Sequence, residues 1–81
     1  MDKNIARHIA KVALKCCDEL TTLASFVERH CDEAERREFA EGFSSAIACI
    51  HAEVVDRMYG YYPELKQEFD DSIKKYGLIL Y

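Results

Sequence analysis

Three places in this 81-residue chain bring metal-binding or nucleophilic side chains close together: the adjacent Cys16 and Cys17, the pair His30 and Cys31, and Cys49 with His51 two residues on. A zinc site asks for about four Cys or His ligands converging tetrahedrally, commonly as two closely spaced pairs. Adjacent helical residues point about 100° apart, so Cys16 and Cys17 diverge, and Cys49 and His51 straddle two faces. His30 and Cys31 come nearest to a usable loop pair, yet no matching second pair exists. Carboxylate metal sites in helix bundles use Glu-x-x-His on inward faces, and no Glu stands three residues before a His. A reactive thiol needs a helix N-terminus or basic neighbours; Cys31, with Arg29 and His30 beside it and a helix start just after it, is the one candidate. The sequence therefore reads as having no cofactor and no enzymatic activity. His30, Cys31, Cys49 and His51 carry the alternative reading, a helical bundle that binds a metal, a ligand or a redox partner through thiols.

The elements that would position these residues are all helical. Three glycines and one proline leave almost no turn punctuation before residue 60, and no run of β-branched residues alternates as a strand requires. Ile5, Ile9, Val12, Cys16, Leu20, Leu23 and Val27 recur at three- and four-residue steps, which predicts a first helix over about 3–29 with a near-heptad core stripe. Lys3, Arg7, Lys11 and Lys15 fall on the opposite face, where Glu53 and Asp56 of an antiparallel second helix would answer them. Asp32 three residues before Glu35 predicts a capping box that opens a second helix over about 32–59, stiffened by Glu33 with Arg37. Its core stripe is Phe39, Phe43, Ala46 or Ile47, Ile50, Val54 and Met58, with Gly60 as the terminating residue. Pro63 suits the first position of a third helix over 63–76, patterned by Leu65, Phe69, Ile73 and Tyr76. Residues 77–81 form an apolar tail. The expected fold is all-α, a single domain made of a long antiparallel hairpin plus a short third helix.

Such a chain has more apolar surface than it can cover. Ala6, Ala10, Cys17 and Ala24 lie beside the first stripe, and Ala34, Ala48, Ala52 and Val55 lie away from the second. Gly42, Ser45, Ala46 and Cys49 make a narrow strip of small residues that would admit another helix. Dimerisation into a helical bundle is the economical solution. Hydrophobic residues at 49% exclude disorder, and no stretch reaches the roughly 18 to 20 apolar residues of a membrane span. A net charge of −4 argues against nucleic acid as a partner. The charge is uneven, +3 over residues 1–17 and −6 over residues 18–58. Free thiols and the lack of a signal-like segment suggest the cytoplasm. The composite expectation is a homodimeric accessory or regulatory module that binds protein. Its candidate surface combines Lys3, Arg7, Lys11 and Lys15 with the late tyrosines Tyr59, Tyr61, Tyr62 and Tyr81, since Tyr is favoured at interfaces.

Overall fold

The structure, a computed structural model, describes residues 1–79. Helix α1 spans Lys3–His30 and α2 spans Glu33–Ile50. A π-helical turn, His51–Val55, and helix α3, Asp56–Tyr61, prolong α2 without a break, and α4 covers Glu64–Tyr76. The expected helical hairpin with a short additional helix is present, and among the described residues there is no strand.

Local chemistry accounts for each end. The Asp2 carboxylate accepts from the Ile5 N–H at 2.9 Å, putting a negative charge where the basic first turn of α1 lacks one. The hairpin turn closes within two residues: the Cys31 N–H donates to the Val27 carbonyl at 2.9 Å, and Asp32 starts the next helix. Its capping box is complete, with Glu35 N–H to Asp32 Oδ1 at 2.9 Å and Asp32 N–H to Glu35 Oε1 at 3.1 Å. Arg37 pairs with Glu33 at 2.7 Å, as the four-residue spacing anticipates. Gly60 does not end the second helix; α3 runs through it to Tyr61, and Tyr62 turns the chain at φ −137°. Gly77 ends α4 with a left-handed cap, φ 75°, and its N–H donates to the Ile73 carbonyl.

The core lies at the open end of the hairpin, where α4 packs. Ala6, Ala10, Met58, Leu65 and Phe69 form it, flanked by Ile9, Leu14, Tyr59, Tyr62 and Ile79 of the apolar tail. Leu80 and Tyr81 lie outside the described residues. This reverses the expected use of α1. Its buried residues are Ala6, Ala10, Ala13 and Cys17, spaced by four, three and four, whereas Ile5, Val12, Cys16 and Leu23 of the expected core stripe face solvent. Small side chains let neighbouring backbones approach closely, so the tightest packing selects the Ala-Cys face. The second stripe keeps its face but is shallow: no residue of α2 is buried, Phe43, Ile47 and Ile50 are its only half-buried residues, and Phe39 alone of the large residues in the expected stripe is exposed.

The π turn explains how one rod serves two directions. Plain helical phase sets Val55 well away from the Phe39 face. In the π turn the Asp56 N–H donates to the His51 carbonyl five residues back, which inserts about one extra residue and rotates the remainder of the rod. Val55 becomes fully buried and Met58 nearly so.

Replacing Leu65 by Ala should cost ~2 to 5 kcal/mol in urea unfolding, and Ala10→Leu should cost ~1 to 3 kcal/mol by forcing α1 away from its neighbours. A wild-type midpoint for both variants would move the core elsewhere.

Candidate interaction surface

The exposed line on α1 is a stricter heptad than the stripe read from the sequence. Ile5, Val12, Leu23 and Phe26 are 51%, 46%, 47% and 51% exposed. With half-buried Ile9 and exposed Cys16 and Glu19 they follow alternating steps of four and three residues. That is the a/d spacing of a coiled-coil seam about 32 Å long, with Glu19 its only charge. Leu20 and Val27, which the sequence placed in the stripe, sit to one side and are half-buried.

Helical phase puts part of α2 on the same side. Ala24 and Val27 of α1 and Ala40 and Phe43 of α2 line one cavity of about 540 Å³ near the hairpin turn, which marks the faces the two helices turn toward each other. Leu23 lies about 70° from that line on α1 and Phe39 about 70° on α2, in the same rotational sense. Because the helices are antiparallel, both steps lead to one broad side of the hairpin. The small residues Gly42, Ser45, Ala46 and Cys49 are exposed, and a Cβ placed on Gly42 would meet nothing within 4 Å. Among the described residues no helix covers this strip.

The basic residues proposed from the sequence divide. Lys3 pairs with Glu64 at 3.4 Å and Arg7 with Glu68 at 3.0 Å, so α4 answers them. Glu53, expected to face this basic end, pairs within its own rod with Arg57 at 2.8 Å. The reason is placement: α4 folds back beside the start of α1 and brings its outer acidic positions there. Lys15 stays exposed and Lys11 half-buried. Glu64 is held below the usual carboxylate range chiefly by hydrogen bonding at its own backbone, with desolvation opposing and the Lys3 ammonium adding to the lowering.

The tyrosines divide as well. Tyr59 is half-buried with its ring centroid 6.1 Å from Phe69, and burial, followed by the charges of Asp70 and Asp56, pushes its hydroxyl pKa up. The Tyr62 hydroxyl donates to the Met1 carbonyl, tying the chain start to the end of α3. Tyr61 is 66% exposed, and Ile73, Tyr76 and Leu78 of the α4 segment are exposed too. Tyr81 lies outside the described residues.

The Cys and His residues are dispersed. The His30 ring lies tilted against Phe26 with centroids 4.4 Å apart, Cys31 caps α1, and Cys49 is exposed on α2. His51 in the π turn shares the lining of a cavity of about 460 Å³ with Cys17, Leu14 and Ile79, a combination that spacing along the chain does not reveal. Burial, then the charge of Asp18 and the neighbouring Cys16, pushes the Cys17 thiol up, away from the nucleophilic thiolate. Among the described residues no group of three or more Cys, His, Asp or Glu is placed to hold a metal ion, and no helix is long and apolar enough to cross a membrane. Comparison with protein-family models, curated proteins and solved structures gave no match.

Iodoacetamide at about pH 8 should modify Cys16 and Cys49 well before Cys17 in dilute native protein, read by mass spectrometry, with the difference lost in denaturant; equal native rates would contradict the burial of Cys17. The folded-state pKa of Glu64 is depressed, so its contribution to stability is present above the ordinary glutamate pKa and lost as pH falls through the folded value. Wild type should therefore lose more stability on acidification than Glu64→Gln, and parallel acid profiles would remove Lys3 and the α4 start as the cause.

Proposed function

We propose that the chain is a homodimeric helical interaction module, two copies meeting through the apolar broad side of the hairpin, and that the resulting bundle serves as an accessory or regulatory protein that binds other proteins. The observation that carries this reading is an area. The chain exposes 5803 Å², about 800 Å² more than a compact monomer of its 9.4 kDa mass would. A standard protein interface takes about 800 Å² from each partner. The shape agrees: the radius of gyration is 14.7 Å against about 12 Å for a compact 81-residue domain, and the thin axis measures 15 Å. The exposed Ile5, Val12, Leu23 and Phe26 share one line on α1, broken only by Cys16 and Glu19, and such grouping marks an interaction site more strongly than scattered exposure does.

Self-association leaves a second patch for a different protein. Tyr61, Ile73, Tyr76 and Leu78 are exposed around α3 and α4, at the far end from the hairpin turn. Tyrosine is enriched in interface cores because its ring buries area while its hydroxyl remains wet. All four cysteines are free, which suits a cytoplasmic setting.

Light scattering at micromolar concentration should give about twice 9.4 kDa, and Leu23→Glu should raise the dimer dissociation constant roughly 100-fold, equal to about 2.7 kcal/mol, with helicity kept. A wild-type chain that stays monomeric into the millimolar range would overturn the reading.

A further inference from the structure

We infer that α1 pairs with α1 of a second copy in the antiparallel sense, with Glu19 of each copy beside Lys15 of the other. The inference rests on the self-association proposed above and specifies its geometry. The occupant of the α1 seam must offer an apolar line of comparable length. The line from Ile5 to Phe26 runs about 32 Å, whereas on α2 the only exposed large apolar side chain is Phe39. A second α1 is the matching surface.

Charge decides the direction. In a parallel pairing, like layers of a heptad seam meet, so Glu19 would face Glu19 of the partner copy inside an otherwise apolar line, and like charges brought together at an interface are strongly unfavourable. Antiparallel seams pair a layers with d layers. Centring the alignment between Cys16 and Glu19 overlaps the seam from Ile9 to Phe26, with Val12 level with Leu23 of the partner copy and Ile9 level with its Phe26, and leaves Ile5 beyond the overlap, level with the partner copy's His30. Glu19 then lies one residue from the level of Lys15 of the partner copy. Lys15 flanks the seam on the side away from α2 and is exposed in the single chain. The two-fold axis repeats the pair, so the two seam carboxylates, about 4.5 Å apart along the helix axis rather than level as in a parallel pair, each gain a cationic neighbour. α4 supports the same alignment by engaging Lys3 and Arg7 on the opposite face, leaving Lys15 as the cation at the seam.

Mixed charge-reversal variants test this. Lys15→Glu alone and Glu19→Lys alone should each weaken self-association at least tenfold by sedimentation, because each homodimer brings like charges together at both crossings. Mixed in equal amounts, they should form a heterodimer of near wild-type affinity. The carboxylate introduced at position 15 of one copy then meets the ammonium introduced at position 19 of the other, and at the second crossing the native Glu19 meets the native Lys15. Both sites are exposed on α1, and circular dichroism verifies that each variant stays helical. Rescue on mixing supports the antiparallel α1 pairing. A dimeric wild type whose mixed variants remain monomeric overturns this alignment alone, whereas a monomeric wild type overturns the self-association reading itself.

Discussion

The close approach of α1 to the rest of the chain, made possible by Ala6, Ala10 and Ala13, is the constraint on which the structure depends. All three are buried, and the first two are fully so. A helix seated on alanines lies nearer its neighbours than one seated on leucines, and dispersion falls off steeply with distance. Leu65 and Phe69 of α4 and Met58 of α3 complete that contact. The same choice dictates what is left outside. A helix has one circumference, and turning the alanine face inward turns the Ile5–Phe26 line outward. Exposure of the large residues and burial of the small ones are one event.

The second rod faces a related conflict, which the π turn resolves. Its first half presents Phe39 to the broad side, and its last turns must present Val55 and Met58 to α1 and α4. A regular helix cannot satisfy both with these residue positions, because its phase is set by the 3.6-residue repeat. One inserted residue changes the phase at the cost of poorer hydrogen-bond geometry over a single turn, and full burial of Val55 offsets that cost.

Helix positions, the capping box, the Glu33–Arg37 pair and the Pro63 start were legible because each depends on chemistry within four residues. The assignment of faces was not. Periodicity ranks stripes by hydrophobicity, so it favours Ile5, Val12 and Leu23 over Ala6, Ala10 and Ala13, while tight packing against the second rod, its π turn and α3 favours the smaller set. The spacing of the alanines, at four and three, was present in the sequence as the competing signal. Glu19 is a clearer lesson: as an acid inside an apolar period it was passed over for Leu20, yet the exposed seam runs through it. The π turn carries no local signature, since His51 to Val55 reads as ordinary helix. The joint lining of one cavity by Cys17 and His51 is equally nonlocal.

Folding and association are thereby coupled in the proposed dimer. Among the described residues the large buried side chains are few, Val55, Met58, Leu65 and Phe69, and no side chain from Leu20 to Ile50 is buried. A domain of this size leaves a large share of its surface in water, so its core alone gives modest stability. The half of the hairpin nearest the turn is held chiefly by its caps, by the Arg36 bond to the Glu28 carbonyl at 3.3 Å, and by half-buried residues such as Val27 and Phe43. Covering the Ile5–Phe26 line would add apolar burial along this less supported half, and a ligand that binds only the folded state stabilises it by mass action. A second copy acts as that ligand, so the exposed seam would be both the recognition surface and the missing part of the core.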